Sequence, residues 1–128
     1  MGFIMRIAAI VQARMGSSRL PGKVLMPLVS DMSVIAILLA RLSKASLVDI
    51  VIVATSDRPK DNQLADYLTG KGITVFRGSE SDVLGRYFHA AQHYEVDHIV
   101  RITGDCPLVD PKVVDKAISG FLASGVDY

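Results

Sequence analysis

A single cysteine, Cys106, is all the chain carries. An internal disulfide and a cysteine-rich metal site are thereby excluded, and a reducing compartment, by default the cytoplasm, is expected. Net charge is nearly absent as well, since 14 Lys plus Arg against 13 Asp plus Glu leave a formal +1. No global basic field points to nucleic acid or to an anionic membrane, so any functional positive charge must be local. Long apolar runs are missing too. The run from Val34 to Ala40 is far shorter than the roughly 20 residues a membrane span needs. Arg6 interrupts the apolar opening and no small-residue cleavage site follows it, which argues against a signal peptide. No repeat, low-complexity tract or linker divides the chain.

What is present fits a folded core. Half of the 128 residues are apolar and 21% are charged, a balance expected of one ordinary globular domain. Four short runs rich in Val and Ile, Ile4 to Gln12, Val48 to Ala54, Ile73 to Phe76 and His98 to Ile102, do not strictly alternate with polar residues. That is the pattern of parallel strands buried on both faces. Between them, Ile35, Leu38, Leu39 and Leu42 recur at helical spacing, and Leu84, Tyr87, Phe88 and Ala91 repeat it, each predicting one apolar stripe. Val114, Ala117, Ile118 and Phe121 predict a fourth helix. Pro59 and Pro111 suit first helical turns, Asp110 suits an N-cap, and Gly70 with Gly72 suits a helix end. Strand and helix alternating four times predict a three-layer, Rossmann-like, doubly wound α/β fold with a mainly parallel sheet. Ligands of such sheets bind beyond the carboxyl ends of the strands.

The most informative segment, Ala13 to Lys23, directly follows the first strand. Gly16, Ser17 and Ser18 let the backbone approach a ligand closely, and successive amides in such a turn form a concave anion site. Arg14, Arg19 and Lys23 surround it with charge. Backbone amides, two guanidinium forks and one ammonium match a triphosphate in charge and geometry. Each charge-assisted bond is worth about 1.5 to 3 kcal/mol, and Lys23 is the candidate to act as charge builds in a transition state. The competing reading is a solvated basic loop turned by its glycines and proline. A P-loop is excluded, because Gly16 and Gly22 enclose five residues and Val24 follows Lys23. A G-x-G-x-x-G dinucleotide fingerprint is absent from this turn too.

These residues resemble the signature of the cytidylyltransferases that activate acidic sugars, the CMP-Kdo and CMP-sialic acid synthetases, and most of all the spore coat polysaccharide biosynthesis protein F type. The resemblance continues through Val53 to Asp57, Phe76 to Tyr87 and Arg101 to Pro111, and so covers essentially the whole chain. It implies the nucleotide-diphospho-sugar transferase fold and transfer of CMP from CTP to an acidic or other sugar, with release of pyrophosphate. It further implies Ala13, Arg14, Gly16, Ser17, Arg19 and Lys23 around the phosphates, with Arg14 and Lys23 as catalytic cations. Arg77 and Ser79 are implied on the base side, and Asp105 as a ligand of Mg2+. Relatives run to roughly twice this length, so residues 1–128 are expected to be the nucleotide-binding half of such a domain. The absent half would supply the sugar pocket, further acidic metal ligands and the contacts of a homodimer. Thr103 stands where Kdo-activating relatives carry glutamine, which argues against Kdo as the sugar.

Bland alternatives stand beside several of these residues. Asp105 could cap a turn before Pro107, and Arg77 could pair on the surface with Glu80 or Asp82. Asp82 and Arg86 suit a helix cap or surface pairing. His89 and His93 are spaced for a metal, but no acidic third ligand is evident and a solvated helix face is the favoured reading. Cys106 is read as a small packing residue. Two other functions remain open: a guanylyl- or uridylyltransferase of the same fold, and a noncatalytic nucleotide-binding module.

Overall fold

The structure, a computed structural model, describes residues 5–16, 22–29, 32–104 and 107–125. Four parallel strands, β1 (Ile7–Gln12), β4 (Ile50–Ser56), β5 (Thr74–Gly78) and β6 (His98–Thr103), form one sheet in the order β5-β4-β1-β6. A short antiparallel pair, β2 (Pro27–Val29) and β3 (Met32–Ser33), lies outside that sheet. The sequence pattern had not indicated this pair, because neither strand is long enough to show a period. The predicted strand at Val48 begins two residues later, at Ile50, and runs on to Ser56.

Four helices complete the fold: α1 (Val34–Leu42), α2 (Asn62–Gly70), α3 (Val83–His93) and α4 (Pro111–Ser124). The chain moves outward from β1 to β4 and β5, then returns to β6 on the far side of β1. With crossovers of one hand, that reversal must put the returning helix on the opposite face. The packing agrees. Ile7, Ala9 and Val11 of β1 share a core with Ile35 and Leu38 of α1, Leu64 and Leu68 of α2, and Val114 and Ile118 of α4. Ala8 and Ile10, the alternate residues of the same strand, meet Ile52, Ala54 and the α3 residues Tyr87 and Ala90. Three layers result, as the alternation of elements predicts.

Local chemistry sets the helix ends. The Ser33 hydroxyl accepts the Ala36 amide at the start of α1, Asp82 accepts the Gly85 amide at α3, and Asp110 accepts the Lys112 amide at α4. Gly72, with φ of +78°, ends α2 in a conformation most side chains resist. The α1 stripe is buried as predicted, each leucine contributing about 1.5 to 3 kcal/mol by leaving water. The α3 stripe is buried only in part: Tyr87 is in the core and Ala91 packs against it as predicted, but Leu84 and Phe88 are not. Leu84 is 70% and Phe88 61% exposed, while Arg86, Tyr87 and Ala90 face the sheet. Periodicity alone added Leu84 and Phe88 to that face; the buried side instead takes Arg86, whose guanidinium donates to carbonyls of the turn after β5. On α4, Val114 and Ile118 are buried, but Ala117 is exposed and Phe121 half-buried. No helix among the described residues is long and apolar enough to cross a membrane.

Candidate functional site

The strand order reverses about β1, whose neighbours are β4 and β6. Crevices at such switch points, beyond the carboxyl ends of the strands, are where doubly wound sheets bind ligands. The segment leaving β1 begins there. Ala13 is buried and its amide donates to the Ala54 carbonyl at 3.2 Å. Arg14 and Gly16 follow, both half-buried. The Gly22 amide donates back to the Met15 carbonyl at 2.7 Å, closing the loop on itself. Gly22 takes φ of +77°, and a single 3-10 turn, Lys23–Leu25, starts beside it. Val24 anchors that turn in the core, which leaves the half-buried Lys23 at its start. The loop's closure thus returns Lys23 toward the end where Arg14 stands. Ser17 and Arg19 lie outside the described residues, as do Asp105 and Cys106.

A buried carboxylate fixes this loop. Asp61 is fully buried, and its Oδ1 accepts the Met15 amide at 2.7 Å while its Oδ2 accepts the Ser56 hydroxyl. Asp61 lies in the 3-10 turn Pro59–Asp61 between β4 and α2, so the loops following β1 and β4 are tied together. The neighbouring Lys60 reaches over the loop: a Cβ placed on Gly16 would lie 3.1 Å from the Lys60 Nζ. That ammonium also pairs with Glu80 Oε2 at 2.6 Å. Across β1, the Gly104 amide donates to the Gln12 carbonyl at 2.7 Å. A Cβ on Gly104 would come within 2.8 Å of Ala13 Cβ, so only glycine allows this approach of the β6 end to the loop.

The residues expected beyond β5 are placed by backbone contacts. Arg77 Nε donates to the Ser56 carbonyl and its Nη2 to the Arg58 carbonyl, both at 2.9 Å. Its guanidinium therefore braces the end of β4, and no pairing with Glu80 or Asp82 is found. Ser79 is exposed, and its hydroxyl accepts the Asp82 amide at 3.3 Å. Beneath this turn lies Arg86, only 2% exposed, whose Nη1 donates to the carbonyls of Ser79 and Glu80 at 2.8 and 2.9 Å. Burial, and then the charge of Arg14, lowers its pKa from the ordinary guanidinium value. Arg86 Nε and Nη2 have no hydrogen-bond partner among the described residues. The reading of Arg86 as a surface or capping residue is corrected: it is an interior strut. Asp82, in contrast, does cap α3.

Three residues at this edge escaped the sequence reading, Arg58, Lys60 and Asp61, and a fourth, Arg86, was placed on the surface instead of inside. The first three follow β4 directly, and the rule that ligands gather at carboxyl ends could have flagged them. Arg86 carried no such signal. Among the described residues no three His, Cys, Asp or Glu side chains gather as a metal cage, His89 and His93 included. Magnesium does not require one, because it binds through one or two carboxylates plus substrate oxygens.

Comparison with known proteins agrees with the geometry. A family model described as cytidylyltransferase matches residues 8–128. The chain is 41% identical over 126 residues to the spore coat polysaccharide biosynthesis protein SpsF of Bacillus subtilis (strain 168), covering 95% of this chain and 52% of that one. Among solved structures, a cytidylyltransferase from Leptospira borgpetersenii serovar Hardjo-bovis superposes with a TM-score of 0.89 at 39% identity, over 95% of this chain and 51% of that one. CMP:2-keto-3-deoxy-manno-octonic acid synthetase, in complex with CTP, superposes with a TM-score of 0.82 at 25% identity, over 92% of this chain and 48% of its own. The chain thus spans about half the length of the relatives it matches. A sheet of this order, a cationic loop closed on itself at the switch point and a family match over nearly every residue lead to one conclusion: the chain belongs to the cytidylyltransferase family.

Proposed function

We propose that the chain is the nucleotide-binding part of a CTP-dependent sugar nucleotidyltransferase. In the reaction, a sugar hydroxyl or anomeric oxygen attacks the α-phosphorus of CTP. A new P–O bond forms, the bond to the β-phosphate breaks, and pyrophosphate leaves. The observation that carries the reading is the loop leaving β1: it closes through Gly22 and Met15, is pinned by Asp61, and includes Arg14 and Lys23 in sequence beside those two bonds.

Such a transfer needs alignment and charge neutralisation more than covalent help. Ala13, Gly16 and Ser17 would offer backbone, while Arg14, Arg19 and Lys23 would grip the phosphate oxygens. Lys23 suits the leaving pyrophosphate, whose charge grows as the bond breaks. Parallel strands lie about 4.8 Å apart, so the turn at Ser79, two strands from β1, suits contacts at the base end of the nucleotide. Arg77 would serve that end by bracing β4 and β5. Asp105 would hold magnesium together with the triphosphate, and the ion would supply further charge neutralisation. Surface polysaccharide synthesis in the cytoplasm, on the model of SpsF, belongs to the same proposal.

Thermal shift with CTP, UTP, GTP and ATP, each with magnesium, tests the proposal through stabilisation by bound ligand. The largest shift with CTP is expected. A larger shift with GTP or UTP would replace cytidylyl transfer by guanylyl or uridylyl transfer, and no shift with any of them would contradict nucleotide binding.

A further inference from the structure

Three loops at the carboxyl edge of the sheet meet at one ion pair. Lys60, after β4, lies against Gly16 of the loop after β1, where a Cβ would be 3.1 Å from its Nζ. The same Nζ is 2.6 Å from Glu80 Oε2, in the turn after β5. Both side chains remain partly open to solvent, at 48% and 30% exposure. Exposed pairs of this kind contribute little to stability, so the fold does not depend on this one. Its surroundings are unbalanced. Arg14, Arg58 and Lys60 all act on the Glu80 carboxyl and hold it below its ordinary pKa, Lys60 foremost, against an opposing effect of burial. The only buried carboxylate nearby among the described residues, Asp61, is taken by Met15 and Ser56.

A carboxylate paired with Lys60, whose ammonium lies against a glycine of the loop after β1, and drawn on by the charges of Arg58 and Arg14 as well, occupies the position of a ligand's own anionic group. We infer that Lys60 is a phosphate-binding residue of the nucleotide site and that Glu80 holds it as a stand-in anion, which a phosphate of the incoming ligand displaces. The inference rests on the nucleotide reading and adds to it a cation that the loop signature does not include. A polyphosphate brings several negative oxygens where Glu80 brings one carboxylate, so exchange favours the ligand. Because Gly16 has no side chain, the ammonium can stay beside the loop backbone before and after the exchange.

Titration calorimetry on the whole chain with CTP and with inorganic tripolyphosphate tests this. Glu80→Gln removes the competing anion, and both ligands are expected to bind about two- to fivefold tighter, the worth of one exposed pair. Lys60→Met is expected to weaken both about five- to tenfold and to flatten the salt dependence of binding. Lys60→Arg should keep most of the affinity. Both positions are partly exposed, so the variants should fold, and circular dichroism would establish that they do. Wild-type affinity for CTP in both Glu80→Gln and Lys60→Met overturns the exchange while leaving the nucleotide site intact. Expected responses to tripolyphosphate without binding of any nucleotide would overturn the nucleotide reading and leave the exchange standing. Absence of binding by either ligand overturns both.

Discussion

The carboxylate of Asp61 accepts the backbone amide of Met15 at 2.7 Å across 46 residues of sequence. Through this bond the loop leaving β1 is held by the turn leaving β4. Loss of the carboxylate would leave a backbone donor and the Ser56 hydroxyl without their acceptor in a buried place. Asp61→Ala is expected to destabilise the fold by about 1 to 3 kcal/mol and to weaken nucleotide binding, because the loop loses its anchor. Urea unfolding followed by CTP titration measures both. Wild-type values for both would mean that the loop is held by something else.

Gly104 imposes a steric requirement at the other side of the site. Its missing side chain leaves room for Ala13 Cβ and the Gln12 carbonyl, each 2.8 Å from where a Cβ would stand. Neither neighbour is the free end of a flexible side chain. Gly104→Ala should therefore cost about 1 to 3 kcal/mol through strain, read as a lower unfolding midpoint. A variant as stable as the parent would show that β6 can withdraw from β1 at no cost.

Arg86 supports the turn that carries Ser79 and Glu80. Arg86→Met keeps much of the stem's bulk but removes the donors to both carbonyls. The preference for CTP over UTP is expected to narrow, with a smaller change in affinity for inorganic tripolyphosphate, since the proposed function assigns this turn to the base end. Equal losses for all three ligands would assign Arg86 to the phosphates or to the fold alone.

Asp115 of α4 accepts the amides of Ser46 and Leu47 and the Ser46 hydroxyl. These bonds, the Leu47 amide first, lower its pKa against an opposing effect of burial. A depressed folded-state pKa means that the stabilisation is complete above the unfolded value of about 3.9 and is lost as pH falls through the folded one. Asp115→Asn should thus lower the melting temperature at pH 7, and the gap to wild type should close only in the acid window below that unfolded value. Melting curves across pH test this; a gap that closed near neutrality would point to another group.

Much of this architecture was legible because it depends on local pattern. Ile35, Leu38, Leu39 and Leu42 share one helical face, and that face is buried. The loop after β1 stands out in the sequence because charge, glycine and position coincide there. Other features depend on contacts remote in sequence. Asp61 is buried because Met15 and Ser56 need its oxygens, and Arg86 turns inward because two carbonyls and the stem's packing on Gly78 receive it. With Arg86 inside, the apparent stripe of Leu84 and Phe88 is rotated to solvent. The hairpin of β2 and β3 is too short for any periodic signal.

The central claim is that the loop between Ala13 and Lys23 cradles a polyphosphate. Titration calorimetry with CTP, CMP and cytidine, on the wild type and on Lys23→Ala, tests it most directly. The wild type is expected to bind CTP at least about tenfold tighter than CMP, from one or more added charge-assisted bonds, with cytidine weaker still, and Lys23→Ala should remove most of the advantage of CTP. Equal affinity for CTP and cytidine, or a Lys23→Ala variant that ranks the three ligands as the wild type does, would contradict the account.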